Sequence, residues 1–431
     1  MNNLRPISIL CSLSKVFEKL VKQQILEFIH RFNLLTPHQS GFRAGHSTTT
    51  ALLKVNDDIL RHVDKKGVAF LLLLDFSKAF DRVSHTKLMR KLSDQFNFSR
   101  DAVYLIQSYL SQRTQMVELF HSLSNPIEIV SGVPQGSVLG PLLFSLYIND
   151  LPNALEHCSI HIFADDVQLY LCSHDKNISE MAKLVNSDLD KIYRWSERNL
   201  LPVNTSKTHI MFLTRRQQRP LLPVIYYNNE VLGYVEKVSN LGIYFQQGLE
   251  WDAQINAQCA KIYAGLRHLK LTASIVPVAI KIRLFKSLLL PHLTYGLELT
   301  TNASAVAFNK LKVALNRCIR WVFNISRFLS VSHLHDQLLG CTFHVFIKVR
   351  LCLTLHKIVQ HGPRYLSEKL SSVHSTRTRC FILPRLNSTH YRDSFFVRAI
   401  ILWNQLPVDI KNIYSRERFH RECVGWLKER N

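Results

Sequence analysis

No two of the nine cysteines form a C-x-x-C pair; Cys11, Cys158, Cys172, Cys259, Cys318, Cys341, Cys352, Cys380 and Cys423 all stand singly. An odd, scattered set argues against a disulfide framework or a zinc ribbon and for a reducing compartment. No zinc knuckle occurs in this stretch of chain. Long apolar runs are also lacking. Val68 to Leu74 is among the longest, and a bilayer-crossing helix needs about 20 apolar residues. Met1-Asn2-Asn3-Leu4-Arg5-Pro6 holds no apolar stretch of the signal-peptide kind. Neither secretion nor a membrane partner is expected. Glycine and proline number only 14 each in 431 residues, and we find no internal repeat, so disorder and low complexity do not dominate.

The scarcest class is acid. Asp and Glu total 32 against 54 Lys and Arg, a formal charge of +22. A surface so basic attracts polyanions, of which RNA and DNA are the commonest. The bland alternative is a merely basic soluble protein. Because the cations are spread along the chain rather than gathered in a tail, a long positively charged channel fits them better than a disordered arm. Hydrophobic residues make up 47% of the chain, enough for a large core and two or three domains.

Helical spacing of Ile9, Leu10, Leu13, Val16, Phe17, Leu20, Val21, Ile25 and Phe28 predicts a helix over 7–35, stopped at Thr36-Pro37. A second helix is expected over 47–63, with Ser47 as N-cap. The continuous run Val68 to Leu74 reads as a buried strand that delivers Asp75 at its end. One helical stretch is expected over 85–110 and a strand over 115–119. A glycine-rich segment over 131–140 leads into a helix from Pro141. Two short strands, 159–163 and 167–171, flank Ala164-Asp165-Asp166 as a hairpin turn. A helix over 178–200 precedes a turn and strand over 203–212. From Trp251 to about Leu370 the pattern is helical, and 371–431 reads as mixed and basic, with boundaries near 246–250 and 328–332.

Three elements carry chemistry. Magnesium takes oxygen ligands, so a two-cation site needs carboxylates from separate elements meeting at one point. Asp75 at a strand end and Asp165-Asp166 on a hairpin supply them. Each alone is more ordinarily a cap or a solvated turn. Between them, Ser131-Gly132-Val133-Pro134-Gln135-Gly136-Ser137 offers glycines that let backbone approach a ligand, though a plain Gly/Pro loop looks the same in isolation.

Taken in order, these elements resemble the reverse transcriptase family. Leu74-Asp75-Phe76-Ser77-Lys78-Ala79-Phe80-Asp81 is similar to its first palm motif, Gly132 to Gly136 with Val138 to Phe144 to its second, and Phe163-Ala164-Asp165-Asp166 to its third. Leu4 to Ser8, Lys15 to Lys19 and Gln39 to Thr48 resemble the fingers. Asn204-Thr205-Ser206-Lys207-Thr208 resembles the fourth palm motif, and Asn240-Leu241-Gly242-Ile243-Tyr244 the primer-grip hairpin. The detail, including Ala399 to Pro407, is that of non-LTR (LINE-type, jockey-like) retrotransposon polymerases.

The resemblance implies a right-hand α/β (α+β) polymerase. Fingers and palm would occupy 1–246, a helical thumb 247–330, and a C-terminal nucleic-acid-binding or connection region 331–431. It implies an RNA-directed DNA polymerase with Mg2+ (two ions, or Mn2+), an RNA template, a DNA primer and dNTPs as partners. Asp75, Asp165, Asp166 and the carbonyl of Phe76 would face the metals. Lys207 would sit by the leaving pyrophosphate, and Arg43 would clamp the triphosphate. Phe80 would exclude a ribose 2′-hydroxyl, Gln135 and Gly136 would meet the nucleotide, and Leu241, Gly242 and Ile243 would grip the primer. His46 replaces a common arginine, and Pro202 interrupts an apolar strand. Full elements of this kind carry an upstream endonuclease that this stretch lacks, so a relic that only binds RNA is the rival reading. An intracellular site, nuclear or in a cytoplasmic ribonucleoprotein, is expected.

Overall fold

The computed structural model describes residues 7–120, 122–174, 177–215, 220–270, 276–371 and 379–430. The Leu4-Arg5-Pro6 part of the fingers pattern lies outside them. At the centre is a four-stranded antiparallel sheet built from β1 (Val68–Leu74), β2 (Ser159–Phe163), β3 (Asp166–Ser173) and β4 (His209–Leu213), in the order β2-β3-β1-β4.

Both faces of this sheet are covered, which is why β1 is apolar at every position rather than alternating. Val68, Phe70, Leu72 and Leu74 join one core and Ala69 and Leu71 the other. The first core takes α1 (Ser12–Arg31), α3 (His85–Asp94), α4 (Arg100–Leu110), α5 (Gly140–Tyr147) and α6 (Ile178–Asn199). The second takes α2 (Thr48–Asp64) and nearly everything after residue 237.

That second part begins with a hairpin of β5 (Lys237–Asn240) and β6 (Ile243–Gln246). Its longer helices are α7 (Asp252–Lys270), α8 (Ala305–Phe323), α9 (Phe343–His361), α10 (Phe395–Gln405) and α11 (Arg416–Lys428). One apolar core runs through all of them, from Phe245 and Trp251 to Phe419 and Leu427, and crosses residues 328–332 without a break. By length and composition 332–361 is apolar enough to cross a membrane. Its Leu351, Cys352 and Leu355 are nonetheless buried in that core, and α9 packs on α10 and α11, as a core helix does.

Several expectations shift. The first helix occupies 12–31 rather than most of 7–35. The stretch 85–110 is two helices, because Asn97 takes a left-handed φ of 52° and Ser99 caps a new start. In place of one strand over 115–119 there are two two-residue ladders, 114–115 with 127–128 and 118–119 with 122–123. The tail is helical rather than mixed from 389 onward, its starts marked by Ser388 and Ser415 side chains that accept from the N3 amides. By contrast, Ser47 caps α2 as expected. It accepts from the Thr50 amide (3.2 Å) while Thr50 Oγ1 accepts from the Ser47 amide (2.8 Å).

Candidate active site

The register of the sheet brings the acids together. Leu74 pairs with Val167 and Phe163 with Asp166. One step beyond Leu74, Asp75 therefore comes level with Asp166, where facing residues share one side of an antiparallel pair. Asp165 sits in the two-residue turn beside it, reached through Ala164 at a φ of 57°. A non-glycine residue there is strained, and the surroundings must hold it.

They do so through residues the sequence reading did not single out. Gln39 is buried to 1% exposure. Its Oε1 accepts from the Ala164 amide (3.1 Å) and the Gly41 amide (2.6 Å), and its Nε2 donates to the Ala164 carbonyl (3.4 Å). The chain at 38–40 runs parallel to β2, with Ile162 N donating to His38 O and Ser40 N to Ile162 O, each at 2.8 Å. Gly41 lies so close that a Cβ there would fall 2.2 Å from the Ala164 nitrogen.

On the other flank, Asn204 N donates to Asp75 O (2.7 Å) and Ser77 N to Pro202 O (2.9 Å) around a Phe76–Val203 bridge. This answers the question posed by Pro202: only its carbonyl is used there, so the missing N–H breaks no ladder bond. The Phe76 carbonyl takes no part in that bridge. Lys207 follows one short 3-10 turn later, its Nζ 3.9 Å from Asp75 Oδ2. The two side chains are 64% and 39% exposed, so the pair is solvated and weak in itself.

Phe80 stacks on Phe144 (4.4 Å, 21°) and meets the edge of Phe42 (6.3 Å). The glycine-rich segment straps this turn down. Val133 N donates to Phe80 O and Gly132 N to Val83 O, both at 2.8 Å, and Gln135 Nε2 to Asp81 Oδ1 at 2.7 Å. Gly136 has a φ of 96°, where a side chain would strain the backbone. Glu18, fully buried, anchors the far end of the segment. It accepts from the amides of Val138 (2.7 Å) and Leu139 (3.0 Å), where α5 has no capping side chain of its own, and from Tyr109 Oη (3.1 Å). In the sequence Glu18 stands out only as a member of the Lys15 to Lys19 motif.

Arg43 is half-buried, and its Nη1 donates to Thr36 O (2.8 Å) and Gln39 O (3.3 Å). Burial lowers its pKa from the ordinary value. His46, in the place of the missing arginine, bonds Ala44 O (2.9 Å) instead. Leu241 and Gly242 form the β5–β6 turn with φ of 46° and 76°. Tyr295 Oη donates to Leu241 O (2.6 Å), and Asn240 Nδ2 donates to Gln168 Oε1 (2.8 Å) on β3, which fastens this hairpin to the central sheet.

The donor set is carboxylate oxygen, which suits a hard divalent cation. Among the described residues no three His, Cys, Asp or Glu side chains stand close enough to cage an ion unaided.

A profile of the reverse transcriptase (RNA-dependent DNA polymerase) family matches residues 1–245, more than half the chain, so the chain belongs to that family and has its mixed α/β right-hand polymerase fold. Its curated relatives are polymerases of non-LTR retrotransposons. It is 30% identical over 391 residues to the probable RNA-directed DNA polymerase from transposon BS of Drosophila melanogaster, covering 88% of this chain and 41% of the relative. To the corresponding X-element protein of the same fly it is 28% identical, covering 90% and 42%. To the polymerase of the mobile element jockey it is 29% identical, covering 78% and 38%. The chain thus spans about two fifths of the length of these relatives. Members of the family work with divalent metal ions.

Proposed function

We propose that this chain extends a primer 3′-hydroxyl with dNTPs along an RNA template, as part of retrotransposition. The observation that carries the reading is the register that sets Asp75, one residue beyond β1, level with Asp166 of β3, with Lys207 Nζ 3.9 Å from Asp75. Asp75, Asp165, Asp166 and the Phe76 carbonyl would hold two Mg2+ (or Mn2+) ions. Such ions lower the pKa of the attacking hydroxyl and neutralise charge on the phosphates in transfer.

The chain's own groups then have separate tasks. Lys207, extended into solvent beside Asp75, supplies positive charge or a proton to the departing pyrophosphate. Arg43 turns from the Thr36 and Gln39 carbonyls to the triphosphate, where a guanidinium fork suits paired phosphate oxygens. Phe80, wedged between Phe144 and Phe42, stands against the sugar and excludes a 2′-hydroxyl. Gln135 and Gly136 lie beside the base pair, and the Leu241-Gly242-Ile243 turn holds the primer. On this reading 1–246 are fingers with palm, 247–330 the thumb, and 331–431 a C-terminal region that shares one apolar core with the thumb.

Primer extension on a defined RNA template with dNTPs and Mg2+, beside Asp165→Ala, tests the reading. Extension by wild type that vanishes in the variant supports it. Folded wild type that binds primer–template without extending it would leave an RNA-binding relic.

A further inference from the structure

The C-terminal region reaches back to the segment that braces the acidic turn. Tyr365 Oη lies 2.8 Å from Ser40 Oγ, which in turn lies 2.9 Å from His161 Nε2. Tyr365 Oη is also 3.4 Å from Thr50 Oγ1, the hydroxyl of the α2 capping box. The phenol ring packs edge-on to His161 (4.9 Å, 79°) and to His46 (5.7 Å, 62°). Each of these residues belongs to an element that shapes the site. Ser40 sits three residues before Arg43 and is bonded through its amide to β2, and His161 sits on β2 four residues before Asp165.

The chain of hydroxyls closes in either direction. Burial lowers the His161 pKa to about 3, so the ring is neutral and carries one proton. If Nε2 is bare, Tyr365 donates to Ser40 and Ser40 to His161. If Nε2 carries the proton, it donates to Ser40, Ser40 to Tyr365, and Tyr365 to Thr50. Both hydroxyls and Nε2 are paired in either case, which matters in a buried network.

Tyr365 is itself fixed from behind. One turn on, Lys369 Nζ donates to Asp57 Oδ2 (2.6 Å) and to Asp58, its side chain 9% exposed and that of Asp57 4%. Tyr391 Oη donates to the other oxygen of Asp57 (3.3 Å), and Ser388 bonds Asp64. The acids of α2 thus hold Lys369, Ser388 and Tyr391 against the fingers, while the family profile ends at 245.

We propose that Tyr365 is a positioning residue for nucleotide addition. Through Ser40 and His161 its hydroxyl holds the Arg43 loop and the Asp165 turn in fixed relation, and so makes the C-terminal region part of the working nucleotide site. The inference rests on the polymerase reading above. Losing the hydroxyl removes neither the arginine nor the acids; it loosens the distance between them. The effect falls on the incoming nucleotide, which must touch both.

The test is Tyr365→Phe in the full chain, which deletes one oxygen and keeps the ring. Loss of one buried hydrogen bond is worth roughly a tenfold change. We expect the KM for dNTP to rise by about that factor while kcat changes far less, and amide exchange at Ser40, Ile162 and Ala164 to quicken. Ser40→Ala, which cuts the relay in the middle, should match it. The double variant should be no worse than either single one. Should Tyr365→Phe fold poorly, Ser40→Ala decides alone. Unchanged KM with unchanged exchange overturns the inference, as does a gain in activity, which would make the contact inhibitory. The exchange comparison does not depend on catalysis. An inactive wild type would sink the polymerase reading while the amides still decided the role of Tyr365.

Discussion

Gln39 grips Ala164 by both of its backbone polar groups, accepting from the amide at 3.1 Å and donating to the carbonyl at 3.4 Å. A turn with a non-glycine residue at a φ of 57° costs on the order of 1 kcal/mol or more, so something must hold it open for Asp165. The buried amide of Gln39 does this, and Gly41 makes room.

Gln39→Leu keeps the volume and removes all three bonds. With Asp165 in the proposed metal-holding role, it should lower primer extension by about tenfold or more while the chain stays folded. Gly41→Ala should be worse for stability, because a Cβ would meet the Ala164 backbone at 2.2 Å and backbone cannot step aside cheaply. Overpacking of this kind costs about 1–3 kcal/mol. Thermal denaturation beside an extension assay separates the two outcomes. Full activity in Gln39→Leu would refute the bracing role.

Glu18 gives a prediction about folding. It is fully buried and caps α5 from 120 residues away, through the amides of Val138 and Leu139. Bonds to a charged acceptor are worth about 1.5–3 kcal/mol each. Glu18→Leu should therefore cost several kcal/mol in denaturant unfolding, and Glu18→Gln less, because its carbonyl still accepts one amide. Equal stability of all three proteins would show the cap to be dispensable.

Phe80 gives a prediction about substrate choice. The ring is held on Phe144 at 4.4 Å and cannot swing away without losing that stack. Phe80→Ala should admit rNTPs, raising their use relative to dNTPs by about tenfold or more, while dNTP incorporation falls only modestly. Competition between dCTP and CTP on one template position measures it. Equal rNTP use by both proteins would remove the gate from this residue.

What the sequence made legible follows the range of the forces involved. β1 was bounded correctly at Val68 and Leu74 because two covered faces demand an unbroken apolar run. Ser47 was a readable cap because its partner Thr50 is three residues away. The strand end before Asp75 and the hairpin that carries Asp165-Asp166 were readable because their apolar runs and turn signals are local. Gln39, Glu18 and Tyr365 act across 125, 121 and 325 residues of chain. Periodicity reports only neighbours, so although Gln39 and Glu18 lie within motifs, nothing local marked the bonds they make. The break at 95–99 is different: Asn97 and Ser99 were visible turn and cap residues, overridden by the apolar periodicity around them. The helical tail was missed for a similar reason, since Ser388, Ser415 and Pro407 are ordinary start signals.

The last prediction concerns pH. Burial, helped by Lys54, lowers His161 from 6.5 to about 3, and burial with Arg215 lowers His390 to about 4. Between those values and 6.5 the unfolded chain binds protons that the folded one refuses, so stability falls as pH falls through that window. For His161 the loss approaches about 1 kcal/mol per pH unit. Asp58 follows lower down. Burial opposes its charge, but Lys369 and Lys54 outweigh this and hold it near 2 against an ordinary 3.8. Its contribution is complete above 3.8 and disappears as pH drops toward 2. Melting temperature should therefore decline from just below pH 6.5, and His161→Gln should show a shallower decline than wild type between pH 6.5 and 4. The tail contacts made by Lys369 should survive that range and fail only below it, when Asp58 takes a proton. A flat melting profile from pH 7 to 4.5, or identical slopes for wild type and His161→Gln, would show that His161 is not held neutral by its burial.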